Sequence, residues 1–404
     1  MQEKNDKAKE KKEGQHEYHE NDLGFKFFDQ GEEKKEVAKQ QSNTERQLKD
    51  FLSRGFAKDL NWEFLTKSKE ISRHDIIRKL SASYKNEKLV FVLGAGVSMS
   101  YGIPGWDVLL QKLMVNTIEK EPNASTVLSK LFNELFSPSP LIAGRFIQKY
   151  FESKNSSFEE AVRKVLYSQI NLATYPHLMD EIVKFCVAAG KSPNLDSIIS
   201  YNFDDLVEQH LLKTNIEVPF RPIYGLGMNP ETGELPIYHV HGFLPEKGEL
   251  SDTNQITFGE NVYHKQYSDI YSWNNIIQIN KFRDCTCLFI GSSLTDPNTR
   301  RLLDIARIQK GDREETHFVI RRKYQTDEIR YKLKNLLDEN NIILEEKSKA
   351  LLNFDDTVKF LIETIETFED ADASSFGVKT IWIEDYSEIP EILRQIRNRK
   401  NKQG

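Results

Sequence analysis

The chain has 404 residues, enough for two or three domains or one large α/β fold, and 24 Phe, 15 Tyr and 4 Trp are ample for a core beside 29% charged residues. Its 56 Lys and Arg against 62 Asp and Glu leave a formal charge of −6, so no global basic field indicates direct nucleic-acid binding. The longest apolar run, Leu89–Val97, is about half a membrane span, the charged start MQEKNDKAKEKKEG lacks a signal peptide's apolar region, and three cysteines suit a reducing cytoplasm. A membrane or secreted protein is therefore not expected.

Residues 1–50 alternate Lys and Glu with few large apolar groups, which predicts a flexible charged arm, Leu23–Phe28 (LGFKFF) being its one apolar stretch. Residues 51–85 read as a helical lead-in from the spacing of Leu48, Phe51 and Leu52, then Ile76, Ile77 and Leu80. Leu89–Leu93 has the length of a buried strand and runs into Gly94-Ala-Gly96; Trp106, Leu109, Leu110, Leu113 and Thr117 then follow helical spacing. Strand, glycine turn and helix make residues 86–121 the start of a Rossmann-like domain. Residues 122–194 read as a helical insertion broken at Pro138 and Pro140.

Within 195–404, apolar strands are expected at Ser197–Ser200, Ile237–Val240, Cys287–Ile290, His317–Ile320 and Val378–Ile383. Helices are expected near 203–213, 268–281, 298–309, 326–338, 355–368 and 387–398, with loops at Gly225–Pro236 and Ala371–Gly377. This alternation predicts an α/β fold: a mainly parallel sheet with helices on both faces.

Four strings carry the candidate chemistry. Gly94-Ala95-Gly96-Val-Ser98, followed by Gly102-Ile103-Pro104-Gly-Trp106, is a glycine loop that lets backbone N–H groups approach a pyrophosphate. It lacks both the third glycine of the dehydrogenase fingerprint and a Walker lysine. Ile198-Ile-Ser-Tyr-Asn202-Phe-Asp204 delivers Asn202 and Asp204 at a strand's C-terminal end, where ligands bind in open α/β sheets; a capped strand-to-helix turn would look the same.

Tyr238-His239-Val-His241-Gly242 puts two histidines on one strand face. They could hold a metal, but no further Cys or His cluster sits at suitable spacing; His241, at the strand end, suits a general base. The fourth string, Leu288-Phe-Ile-Gly291-Ser292-Ser293-Leu-Thr-Asp296-Pro297, breaks a strand at glycine and opens a helix with Asp at the cap and Pro in the first turn. It reads either as a plain loop or as a second loop closing on the same dinucleotide.

Taken in order, the four strings resemble the sirtuin signature. Gly94–Ser98 with Gly102-Ile103-Pro104 resembles the family's opening glycine motif and the loop covering its cofactor. Ser-Tyr-Asn202-Phe-Asp204 resembles its Thr-Gln-Asn…Asp motif, Val-His241-Gly242 its His-Gly motif, and Gly291-Ser292-Ser293 its late Gly-Thr-Ser loop. Val378–Ser387 with the following helix resembles the end of the bacterial sirtuin-like branch found in anti-phage systems. Two departures bear on function: Cys186, Cys285 and Cys287 are too few for the deacylases' four-cysteine zinc ribbon, and Gly105-Trp106-Asp107 replaces Asp-Phe-Arg. Cys285 and Cys287 read as core.

The resemblance implies an NAD+ hydrolase that cleaves the nicotinamide–ribose bond to nicotinamide and ADP-ribose, depleting NAD+ in anti-phage defence. It implies His241 and Asn202 as catalytic groups. Gly94, Ala95, Gly96, Ser98, Ile103, Pro104, Trp106, Asp204, Gly291, Ser292 and Ser293 would hold NAD+, the substrate, and no metal is required. It also implies a cytoplasmic homo-oligomer with a HerA-type ATPase or other phage-sensing partner. An NAD+- or ADP-ribose-sensing regulatory module and an NAD+-dependent protein deacylase are the alternatives.

Overall fold

The computed structural model describes residues 72–118, 140–171, 177–187, 195–214, 218–311, 316–339 and 354–398. The 1–50 arm, Leu23–Phe28, the lead-in up to residue 71 and Pro138 lie outside them. Thr326–Leu361 belongs to one compact unit; the sheet and the site belong to the other, Asn61–Gln325 with Ile362–Gly404.

In chain order, α1 (Arg73–Lys85) precedes β1 (Leu89–Leu93), α2 (Ala95–Met99) and α3 (Trp106–Ile118). Next come α4 (Pro140–Ser153), α5 (Phe158–Leu166), α6 (His177–Cys186), β2 (Leu195–Ser200) and α7 (Leu206–Lys213). β3 (Phe220–Ile223) and β4 (Leu235–His239) are followed by α8 (Glu260–Ser268), α9 (Trp273–Asp284) and β5 (Thr286–Ile290). α10 (Pro297–Lys310), β6 (His317–Arg322), α11 (Thr326–Glu339), α12 (Phe354–Ser375), β7 (Val378–Ile383) and α13 (Ile389–Asn398) follow. Within the smaller unit, the Arg330 guanidinium joins Asp327 and Asp355.

Among the described residues, seven strands form one all-parallel sheet in the order β3-β4-β2-β1-β5-β6-β7. Alternate side chains enter two cores, because strand side chains point to opposite faces in turn. Leu89, Phe91, Leu93, Ile198, Leu288, Ile290 and Phe318 pack on one face with α1 and α13. Val90, Val92, Ile199, Cys287, Phe289 and Val319 pack on the other with α9 and α10. Each such buried side chain contributes about 1.5–3 kcal/mol, so the central strands are anchored from both sides.

Several local expectations need correction. The first glycine loop is not a simple turn, since α2 begins at Ala95 with extended Gly94 as its N-cap residue. β3 was not expected: Phe-Arg-Pro-Ile has no apolar run, and its proline is tolerated because β3 is an edge strand. The helix expected at 268–281 starts later, as α9 at Trp273, and a separate α8 ends at Ser268; in the break the Asn275 amide donates to the carbonyls of Gln266 and Asp269. Pro140 is the first residue of α4, where its missing N–H is harmless. α12 runs through Ser375, so the loop expected at Ala371–Gly377 shrinks to its last residues, where Gly377 takes φ +83°.

Candidate active site

Register gathers the four strings at one edge of the sheet. Leu93 pairs with both Ser200 and Ile290, and Ser200 pairs with His239, so all four chains leave the sheet side by side. The chain moves from β1 to β2 on one side of the sheet and later returns to β5 on the other. The gap beyond the ends of β1 and β5 is therefore a topological switch point, where open α/β sheets bind ligands.

The two glycine loops cross there. Gly94 N–H donates to Ile290 O and Gly96 N–H to Gly291 O, each at 3.0 Å. A Cβ on Gly94 would lie 2.5 Å from Gly291 O, and one on Gly291 would lie 2.6 Å from Val97 N; Gly291 also takes φ +65°. Glycine is needed for this backbone-on-backbone approach. The same bonds occupy two amides expected to face a pyrophosphate, leaving the exposed Ala95 at the start of α2 as the open position.

Asn202 is anchored from three sides. Its Nδ2 donates to Gly94 O at 3.0 Å and to Ser98 Oγ at 3.1 Å, tying the end of β2 to the first glycine loop. Its carbonyl faces His239 Nδ1 at 3.2 Å, and His239 Nε2 reaches Glu208 Oε1 at 2.7 Å. Burial works against a charged His239, but Glu208 outweighs it and raises the imidazole pKa. Asp204 lies beneath, 5% exposed. Burial pushes its carboxyl up to about 6, against hydrogen bonds from Ser98 and the Leu206 amide that hold it down. Ser98 thus touches both Asn202 and Asp204.

β4 ends at His239, so His241 occupies the following turn instead of sharing a strand face with it. Gly242 takes φ +109° with its backbone against Gln255 and Ile256, and Thr257 N–H donates to His241 O at 2.6 Å. The His241 ring stands edge-on to Tyr201, 4.8 Å between centroids, and 6.0 Å from Tyr263. Its Nε2 is buried without a hydrogen bond and faces Asp296 Oδ2 at 3.8 Å. Burial lowers the imidazole pKa and Asp296 opposes that shift, which keeps the ring neutral and able to accept a proton near pH 7. Among the described residues no three His, Cys, Asp or Glu are grouped to hold a metal.

The other expected residues take varied places. Trp106 starts α3, half-buried on Phe258 at 4.6 Å; Ile103 is buried in the core and Pro104 is half-buried. Their loop leans on the helical segment, where Asn171 N–H donates to Tyr101 O at 2.9 Å. Ser292 Oγ accepts from Leu294 N–H at 3.3 Å, and exposed Ser293 lies 2.7 Å from Thr295 Oγ1. Cys186, Cys285 and Cys287 are buried free thiols, with Cys285 pushed up to about 11 by burial.

Sequence reasoning missed four supporting residues. Asp296 was explained fully as a helix cap, while Tyr263 and Glu208 lie in helices without a motif. Tyr167 braces two loops at once, its hydroxyl donating to Leu244 O and meeting Asp205 Oδ1, each at 2.8 Å. Helical spacing alone gives no sign of such a role.

Residues 196–344 match the family described as SIR2-like domain. It is 22% identical over 327 residues to the NAD(+) hydrolase ThsA of Enterococcus faecium, covering 80% of this chain and 58% of that protein. It is also 22% identical over 329 residues to the NAD(+) hydrolase ThsA of Bacillus cereus (strain MSX-D12), covering 80% and 56%. The chain thus spans somewhat over half the length of these curated relatives. A match over 80% of the chain takes in its central residues, both glycine loops included.

Proposed function

From the match of residues 196–344 to the SIR2-like domain family, we propose that the protein is an NAD+ glycohydrolase that releases nicotinamide and ADP-ribose. The observation carrying the reading is the convergence of the crossed glycine loops with Asn202, Ser98 and Asp204, and of Tyr201 with His241, at one end of the sheet. The two relatives named as NAD(+) hydrolases support it.

In the reaction the C1′–N bond breaks with its electron pair leaving on nicotinamide, and the ribose becomes oxocarbenium-like. A water oxygen then bonds to C1′ and gives up a proton. Asn202 suits the orienting role, since both bonds at Nδ2 fix its amide plane and leave Oδ1 for a water or a ribose hydroxyl. His241 takes the proton, and a base kept neutral by burial does this at physiological pH. Asp204 and Ile103 receive the carboxamide, and Ala95, Ser292 and Ser293 face the pyrophosphate side. No step calls for a metal.

The reaction depletes NAD+ during anti-phage defence in the cytoplasm. The chain works there as a homo-oligomer beside a phage-sensing partner such as a HerA-type ATPase. The sirtuin-like resemblance supports this setting. Among the described residues no helix is long and apolar enough to cross a membrane.

The test is NAD+ loss by the purified full chain, with products identified and no acyl-lysine peptide present. His241→Ala and Asn202→Ala are expected to lose about 10²–10⁴-fold in turnover while staying folded. Folded variants that consume NAD+ at the wild-type rate would overturn the assignment. Nicotinamide release only with an acetylated peptide would make the protein a deacylase, and binding without turnover in phage-challenged cells would make it a sensor.

A further inference from the structure

We propose that Asp296, held by Tyr263 and Thr299, is the positioning residue for His241: it keeps the imidazole proton on Nε2 and leaves Nδ1 as the basic nitrogen. This deepens the hydrolase reading and rests on it.

A helix cap needs one carboxylate oxygen, and Asp296 Oδ1 fills that role by accepting from Thr299 N–H and Thr299 Oγ1, each at 2.7 Å. The second oxygen has no such duty. Tyr263 OH donates to Oδ2 at 2.8 Å, which fixes it at 3.8 Å from His241 Nε2. That nitrogen is buried without a hydrogen bond. The titratable groups against the imidazole are Asp296 ahead of α10, Tyr263 on α8 and Tyr201 after β2; among them only the carboxylate is charged at neutral pH.

A separation of 3.8 Å is too long for a hydrogen bond. Contacts of this kind are often long in unliganded sites and tighten when substrate arrives, here by about 1 Å. With Nε2–H directed at the carboxylate, the Nδ1 lone pair receives the water's proton as water oxygen bonds to C1′ and the C1′–N pair leaves with nicotinamide. The imidazolium so formed is stabilised by Asp296, then loses its proton to solvent.

Asp296→Asn separates the two roles, because Asn caps a helix as well as Asp but carries no charge. The full chain labelled with ¹⁵N-histidine, its His241 signals assigned with His241→Gln, reports the ring tautomer and titration directly. Wild type is expected in the Nε2–H form. In Asp296→Asn that preference is lost and the His241 pKa falls, since the carboxylate was raising it. In NAD+ hydrolysis the variant is expected to lose about 10- to 1,000-fold in kcat. Its KM should stay nearly constant, and the acid limb of its kcat–pH profile should move to lower pH. Tyr263→Phe, which leaves the cap intact, should lower kcat by a smaller factor.

A wild-type tautomer and pKa in Asp296→Asn, or wild-type kcat with an unmoved acid limb, would overturn the proposal. Failure of the hydrolase reading looks different: wild type and His241→Ala would consume NAD+ equally poorly, while the ring spectra would still decide on Asp296.

Discussion

Asp204 and His241 are both buried at the same edge of the sheet, and burial pushes both toward the neutral form: it raises the Asp204 carboxyl to about 6 and lowers the imidazole. For His241 neutrality is the working state. For Asp204 it has a cost at neutral pH, where the carboxyl is ionised in an enclosed place. Its folded value lies above the unfolded 3.8, so the unfolded chain releases this proton first as pH rises. Stability from this group is therefore full below about pH 4, declines up to about pH 6 and stays low above it. Asp204→Asn keeps an acceptor for the Leu206 amide and removes the charge. It is expected to melt a few degrees higher than wild type at pH 7, since 1 kcal/mol moves the midpoint of a 150–250-residue domain by about 2–4 °C. The gain should vanish toward pH 4, and NAD+ turnover should fall. Thermal melts across that range check it; equal midpoints at pH 7 would show that Asp204 is not held under strain. Stability given up at a site is what function commonly requires.

At the scale of elements, the two glycine loops act as one unit because neither can move without the other. Gly94 is extended, at φ −110°, so alanine meets no conformational penalty there. Its Cβ would instead meet Gly291 O at 2.5 Å and Ser292 Cα at 2.9 Å, both backbone atoms that cannot rotate aside. Gly94→Ala is expected to destabilise the fold by about 1–3 kcal/mol and to weaken NAD+ binding. Gly227→Ala provides the comparison: φ is +78° with nothing within 4 Å of the added carbon, so the cost is local strain of about 1–2 kcal/mol and binding is untouched. Chemical denaturation with NAD+ titration separates them; if Gly94→Ala bound like Gly227→Ala, the loops would not be a coupled unit.

The same loops show what the sequence could reveal. Leu89–Leu93 and Val378–Ile383 match their expected strands because five or six consecutive apolar-dominated residues flanked by turns have few other solutions. β3 escaped notice because pairing with β4, and not its own composition, makes Phe-Arg-Pro-Ile a strand. Asn202 and His241 were legible through their positions at strand ends. Asp296 was not, because its helix cap accounted for it locally and its second oxygen acts on a residue 55 positions earlier. The break between α8 and α9 depends likewise on Asn275, whose side chain competes for backbone carbonyls.

Across the larger unit, the last helix closes one face of the sheet through a buried acid. Glu181 on α6 is 2% exposed and meets Lys184 at 2.8 Å on its own helix. From α13 it meets Arg397 at 3.3 Å and Arg394 at 3.6 Å. Ile392, Leu393 and Ile396 bury the apolar side of that helix in the same core. Apolar contacts therefore hold α13 on the sheet, while Glu181 sets its register along α6. Burial would raise the Glu181 pKa, but Lys184 and Arg397 outweigh this and lower it. A lowered carboxylate stabilises the fold above the unfolded value of 4.5 and stops doing so as pH falls through its folded value. Glu181→Gln keeps the shape and one acceptor oxygen. Its partners are partly exposed and can regain water, so the loss at pH 7 should be about 1–2 kcal/mol, below the 3–5 kcal/mol of a fully buried pair. Denaturant unfolding at pH 7 and again below pH 4.5 should show the gap narrowing. A pH-independent gap would mean that Glu181 acts through packing alone, and α13 would then be positioned by its apolar face. Since the ionic partners of Glu181 are Lys184, Arg394 and Arg397, none of them a candidate site residue, NAD+ turnover by the folded fraction should match wild type.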